Sequence, residues 1–298
     1  MNSKQRRSFL KKGVGLATLP LLGLSSRNPL PKDPKKNLKL SLNAFSFNAS
    51  LRDGTLSLER LFRYCAENSI PAIDLTAYYI SNYPEVPVDK VLYGIKKQAH
   101  HWGLDISGSG VRNDFTIQNT DLRKKEIDLV KKWIVASSKM GAPVLRVFAG
   151  KSKVEGAAWK EVADGVISAM QECASFGAEN GVIVAMQNHN DFIKSADQVN
   201  YIMENVNKEW FGLVLDVGSY SLKDPYEEIS RNVHHAVNWQ IKENVNYLGT
   251  QKPVDLKTLM KIIKSSDYNG YLPIETLGPG DSFEKVKNFL KDVKKALD

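Results

Sequence analysis

Val182-Ile183-Val184-Ala185-Met186-Gln187-Asn188-His189 reads as a buried strand that ends abruptly in polar side chains. The apolar run is too short for a helix, and Gly181 stands immediately before it as a stop for whatever helix precedes. Three later stretches repeat the pattern. Leu213-Val214-Leu215-Asp216 runs into Val217-Gly218-Ser219, Asn238-Trp239-Gln240-Ile241-Lys242 runs into Glu243, and Tyr271-Leu272-Pro273-Ile274-Glu275 runs into Thr276. Near-continuous apolar strands belong to a sheet covered on both faces, which is the condition of parallel strands.

Outward from these four, further strands are expected at 39–47, 72–76, 104–107 and 144–148. Amphipathic helices are expected at 56–68, 88–102, 122–140, 157–180 and 283–297. In the third of these, Ile127, Val130, Ile134 and Ser138 fall on one stripe, with Lys124, Lys125, Lys131 and Lys132 largely off it. Asn180-Gly181 and Asn269-Gly270 supply the left-handed turns that end helices before strands five and eight. Eight strand–helix units without a Gly-rich phosphate loop favour an α/β fold of the (β/α)8 TIM-barrel kind over a doubly wound sheet. The barrel is expected to span residues 39–298 as one domain. In such barrels the chemistry sits where strands run into the following loops.

The whole chain carries a formal charge of +8, but residues 1–39 hold ten Lys or Arg against the single acid Asp33, a net +9 that leaves −1 for residues 40–298. A basic groove for a nucleic-acid backbone is therefore not expected. Residues 1–27 read as an address: Arg6-Arg7-Ser8-Phe9-Leu10-Lys11 followed by the apolar run from Gly13 to Leu24 matches a twin-arginine export signal. The expected location is periplasmic or otherwise exported, with residues 28–38, which hold three prolines, as a linker. No stretch of the mature part is long and apolar enough to span a membrane. Cys65 and Cys173 sit among apolar neighbours and are expected as buried free thiols, with a disulfide as the alternative.

A closed barrel would bring Gln187, Asp216, Gln240 and Glu275 around one axis. Two carboxylates and two amides make a hard, oxygen-rich set that suits Mg²⁺, Mn²⁺ or Ca²⁺. The alternative is four unconnected strand-end residues that cap helices or bond loops.

At these positions the chain resembles the sugar phosphate isomerase/epimerase family, the xylose-isomerase-like barrels that include ketose 3-epimerases and, more distantly, endonuclease IV. The resemblance covers about residues 40–297 and rests on Met186-Gln187-Asn188-His189-Asn190-Asp191-Phe192, Leu213-Val214-Leu215-Asp216-Val217-Gly218, Trp239-Gln240-Ile241-Lys242 and Leu272-Pro273-Ile274-Glu275. It implies a divalent metal held by Glu, Asp, His and Glu on strands five to eight. Gln187 stands here where the family has Glu, and Gln240 where it has His. The site loses one negative charge, so the expected metal is weakly held, or absent with the amides hydrogen-bonding a sugar instead.

The resemblance further implies a pair of glutamates acting on the two faces of a sugar carbon. Glutamine takes no proton, so Gln187 removes one member of that pair and one-base chemistry remains. Glu275 is the expected base for proton abstraction alpha to a sugar carbonyl. Lys242 and His189 are candidate acids or relays, and Lys242 or the metal could stabilise the oxyanion. One base suffices for an isomerase-type proton shuttle or for β-elimination from a keto-glycoside. The third reading is a barrel that binds carbohydrate without turnover. An endonuclease is disfavoured, since only five histidines are present and His100, His101, His234 and His235 fall on helices.

Asn113, Arg146, Phe148 and Trp239 are candidate substrate contacts, with Phe45, Tyr78 and Tyr79 as further members of an aromatic wall. Arg146 points either into the site or into a barrel-floor pair with Asp74. Lys242, on a buried strand, requires Asp216 or Glu275 as a partner. The expected ligand is a small, non-phosphorylated or oxidised carbohydrate, and a homodimer is compatible with this reading.

Overall fold

Parallel pairing joins all eight expected strands into a closed ring in the computed structural model, which describes residues 36–298. The expected export signal and residues 28–35 of the expected linker lie outside the described residues. The barrel strands are β1 (Lys39–Asn43), β2 (Ala72–Thr76), β3 (Asp105–Gly110), β4 (Val144–Phe148), β5 (Ile183–Gln187), β6 (Phe211–Asp216), β7 (Ala236–Lys242) and, after an inserted hairpin, β10 (Tyr271–Glu275). They follow chain order around the ring, and β10 closes it against β1 with Lys39 beside Tyr271 and Leu42 beside Ile274. This is the (β/α)8 TIM barrel that the strand pattern predicts.

Helices α1 (Asn48–Arg52), α2 (Leu58–Glu67), α3 (Asp89–His101), α4 (Thr120–Met140), α5 (Ala157–Asn180), α6 (Ala196–Val206), α7 (Pro225–Asn232), α8 (Leu256–Ser265) and α9 (Ser282–Leu297) complete the units. All but α1, α3 and α5 start with a side-chain cap. Ser57 Oγ accepts from the Arg60 amide at 3.2 Å, Asn119 Oδ1 from Leu122 at 3.0 Å, and Asp224 caps α7 directly before Pro225. Gly141 and Gly181 end α4 and α5 at φ of 84° and 67°, the left-handed conformation that side chains with a Cβ resist.

Two local expectations change. The first strand stops at Asn43, whose side chain accepts from the Phe45 amide and turns 44–47 into a 3-10 helix. An antiparallel hairpin, β8 (Asn244–Tyr247) and β9 (Thr250–Pro253), leaves the end of β7 and pairs with no barrel strand. Cys65 and Cys173 are buried free thiols, and burial pushes both up to about 12. Among the described residues no helix is long and apolar enough to cross a membrane.

The core lies mostly between strands and helices. Leu145, Val147, Val184, Met186, Leu213, Leu215, Trp239 and Ile241 all belong to it. Alternate residues of the same strands face the barrel axis, because successive side chains of a strand point to opposite faces. Low on the axis, Val144, Ala185 and Val214 form a small separate apolar cluster. Continuing in steps of two toward the strand ends leads from these to Arg146 and Phe148, to Gln187, and to Asp216.

Candidate active site

The inward residues at the strand ends enclose a cavity of about 150 Å³. Gln187, Gln240, Lys242 and Glu275 line it together with Arg146 and Phe148. Strands β5, β7 and β10 thus deliver polar ends to the cavity wall, and Asp216 of β6 stands behind it, bonded to Gln187 and Lys242.

Asp216 is wholly buried and is the hub. Its Oδ2 accepts from Gln187 Nε2 at 2.7 Å, Ser219 Oγ at 2.8 Å and Lys242 Nζ at 2.6 Å, and its Oδ1 accepts from the Gly218 amide at 2.9 Å. Its backbone is clamped by Asn188, which donates to the Asp216 carbonyl at 3.0 Å and accepts from its amide at 2.7 Å. Burial by itself would raise this carboxyl, but the Lys242 ammonium and the hydrogen bonds from Lys242 and Ser219 together outweigh it and hold it below the usual range.

Lys242 Nζ also lies 3.5 Å from Glu275 Oε1, so both expected partners hold it at once. Desolvation opposes its charge, yet the two carboxylates outweigh that and raise its pKa. Glu275 is 4% exposed. Burial is the main cause that lifts its pKa, Asp216 adds to the rise, and Lys242 and Arg146 act against it. A buried carboxylate of raised basicity at a cavity wall is the property of a general base.

Below this triad the axis is polar but satisfied. Asn238 Nδ2 donates to Asp74 Oδ2 at 3.0 Å, and burial pushes Asp74 up to about 7. Of its two readings Arg146 takes the first: it lines the cavity, and no ion pair joins it to Asp74 among the described residues. Arg146 instead donates to the Val111 carbonyl at 2.5 Å and to the Tyr78 hydroxyl at 2.8 Å, and its guanidinium lies 4.1 Å from the centre of the Phe148 ring. Room for it comes from β3: a Cβ on Gly110 would sit 2.7 Å from Arg146 Nη2.

His189 stands at the mouth. Its Nδ1 meets Asp191 Oδ2 at 2.9 Å, and its ring packs edge-on against Phe148 at 5.0 Å. A second cavity of about 370 Å³ adjoins the first and shares His189, Lys242, Glu275 and Leu277 with it.

Two expected substrate contacts lie elsewhere. Trp239, between Asn238 and Gln240 in β7, is fully buried on the strand's outward face, edge-on to Tyr268 at 5.8 Å. With Gln240 inward, the two-residue period sends Trp239 outward. Asn113 is bound at both ends of its amide to the Phe148 backbone, at 2.8 and 2.9 Å, and so positions that strand end rather than lining the cavity. Of the remaining aromatic candidates, Phe45 and Tyr78 line the cavity, while Tyr79 donates to Asn48 Oδ1 at 3.0 Å. Sequence reasoning missed Asn43, Thr76 and Arg112 on the wall, and Ser219 and Asn188 behind Asp216. Asn188 and Ser219 follow strand ends within three residues, a position that marks them for support of those ends.

The donor set does not fit the expected divalent ion. Gln187 faces two acceptors, Asp216 Oδ2 and Gln240 Oε1 at 2.7 and 2.6 Å, so its NH₂ group and not its oxygen points into the set. Asp216 Oδ2 already accepts three donors, and an ammonium stands between the two carboxylates. Among the described residues no group of three or more His, Cys, Asp or Glu could hold a metal.

Residues 62–293 match the model of the xylose isomerase-like TIM barrel family, and the chain belongs to that family. Among solved structures it is similar to a D-psicose 3-epimerase from Clostridium cellulolyticum H10, with 12% identity over 87% of this chain and 99% of that one and a TM-score of 0.72. A D-allulose 3-epimerase from Methylomonas sp. shares 16% identity over 88% and 99% of the two chains, with a TM-score of 0.70. The probable 3-DHS dehydratase of petrobactin synthesis from Bacillus anthracis shares 15% identity over 87% and 98%, with a TM-score of 0.66. No curated protein matches the sequence.

Proposed function

We propose that this barrel is a carbohydrate-active enzyme of the isomerase/epimerase type that abstracts a proton alpha to a sugar carbonyl, with Glu275 as the single base. The observation that carries this reading is Glu275 itself: a buried carboxyl on the cavity wall, raised in pKa mainly by burial, with the Lys242 ammonium 3.5 Å away. Gln187, on the same wall, takes no proton, so the same carboxyl that receives the proton returns it. A proton moved between adjacent carbons interconverts aldose and ketose. Arg146 is engaged by Val111 and Tyr78 and covered by Phe148, which leaves it poorly suited to a phosphate and favours a non-phosphorylated sugar.

A second reading is β-elimination from a keto-glycoside. The adjoining cavity that shares His189, Lys242 and Glu275 favours it, because a glycosidic leaving group has room there and His189, oriented by Asp191, can protonate it. One panel of aldoses, ketoses and 3-keto-glycosides tests both. Turnover abolished in Glu275→Gln supports proton abstraction, and the product, isomer or released aglycone, selects between them. Saturable sugar binding without turnover replaces both with a binding barrel. We extend the proposal to an exported enzyme, for which Arg6-Arg7 and the apolar run after it are the support and cell fractionation the test. Self-association as a homodimer belongs to the same proposal and is read by sedimentation.

A further inference from the structure

We infer that the Lys242 ammonium is this barrel's resident cation: a tethered charge that takes the place of a divalent ion between Asp216 and Glu275 and pairs with the oxygen that becomes negative during proton abstraction. The inference deepens the proposed function and rests on it for the chemistry, but its structural half stands alone.

Three observations carry it. The ammonium bridges the two carboxylates, 2.6 Å from Asp216 and 3.5 Å from Glu275, at the point where strand ends converge. The two neighbouring amides are bonded to each other, and Gln187 also to Asp216. Gln187 donates its NH₂ group to Asp216 and to Gln240, and so offers no oxygen to a metal. Lys242 also lines both cavities, so its third N–H is available to a bound molecule while two face the carboxylates.

The charge balance follows from the same geometry. The C–H bond alpha to the carbonyl breaks, its proton bonds to Glu275, and the electron pair moves through the new C=C bond onto the carbonyl oxygen. Glu275 becomes neutral as that oxygen becomes negative. Lys242 exchanges one anionic partner for another while Asp216 keeps it in place, so the total charge of the site is constant through the step. A fixed ammonium acts on that oxygen without having to reorganise.

The test titrates the full chain, stripped with EDTA, with Mn²⁺, following free Mn²⁺ by electron paramagnetic resonance and stability by thermal melting. The wild type is expected to take up no Mn²⁺ at millimolar concentration and to keep the same Tm with EDTA or Mn²⁺. Lys242→Ala, which leaves Asp216 and Glu275 buried without a cation, is expected to bind one Mn²⁺ and to gain thermal stability from it. Stoichiometric Mn²⁺ on the wild type, lost in Asp216→Asn, would overturn the inference, as would a folded Lys242→Ala that ignores the ion. If that variant does not fold, the wild-type titration decides. These readouts need no substrate, so failure of the sugar panel leaves them intact.

Discussion

The carboxylate of Asp216 at the end of β6 and the ammonium of Lys242 at the end of β7 meet at 2.6 Å with 0% and 15% of their side chains exposed. A pair this deep resists loss of one partner more than loss of both, since the remaining charge keeps its desolvation cost. Asp216→Asn leaves Lys242 with Glu275 alone. It is expected to destabilise the fold by about 3 kcal/mol, measured as a lower denaturant midpoint at neutral pH.

Glu275→Gln removes the proposed base but keeps the shape. Loss of turnover on the substrate found by the sugar panel is expected to be at least ~10²-fold, with the melting temperature little changed. In the wild type, activity is expected to rise with pH as Glu275 loses its proton, with a midpoint above the ordinary carboxylate range because burial raises it. A rate limb with an ordinary glutamate midpoint would place the base elsewhere.

Asp74 gives a pH signature in stability. Its ordinary value is 3.8 and burial pushes it up to about 7, so the folded state holds the proton more tightly than the unfolded chain does. For this group stability is greatest below its unfolded pKa and declines as pH rises through the interval up to its folded value. Asp74→Asn is expected to match the wild type near pH ~4 and to melt higher near pH ~8, read from Tm against pH.

Gly110→Ala forces a methyl carbon to within 2.7 Å of Arg146 Nη2, and the guanidinium is fixed by Val111 and Tyr78. A loss of about 1–3 kcal/mol is expected, together with weakened sugar binding as Arg146 and Phe148 shift. An unchanged binding constant would show that the Arg146 end of the cavity is not in contact with the ligand.

Trp239→Phe separates the outward from the inward face of β7. Its indole N–H is buried without a hydrogen-bond partner, so replacing it by a ring that lacks the N–H is expected to cost less than about 1.5 kcal/mol. Sugar affinity is expected to stay the same, by calorimetric titration.

Most of the barrel strands were legible because they are apolar runs bounded by turns, whereas β3 runs on to Gly110 past its expected end at Ser107 because Gly108-Ser109-Gly110 carries no apolar signal; their convergence followed from closure. Hence Gln187, Asp216, Gln240 and Glu275 are found together, and Lys242 finds both of its anticipated partners. Trp239 was misplaced by reading composition where period was needed; its neighbour Gln240 already determined its side. Asn113 and Asp74 depend on which of several reachable groups a side chain meets, and such choices are made by strand register, with shifts at Ile73/Asp74 and Leu213/Val214 that no spacing reveals. The metal expectation, an ion weakly held or absent, was left open for the same reason. Residue types allowed an oxygen cage, whereas the orientation of Gln187 is decided by its neighbours.

The hairpin β8–β9 begins two residues after Lys242 and pairs only with itself. None of the eight barrel ladders passes through it, so its tip at Leu248-Gly249 can be lengthened or recoded without breaking a barrel hydrogen bond. That makes it the natural port for engineering: a reporter dye placed there would sit on the segment continuous with Lys242, and a library built there would vary the rim while Asp216, Lys242 and Glu275 stay constant.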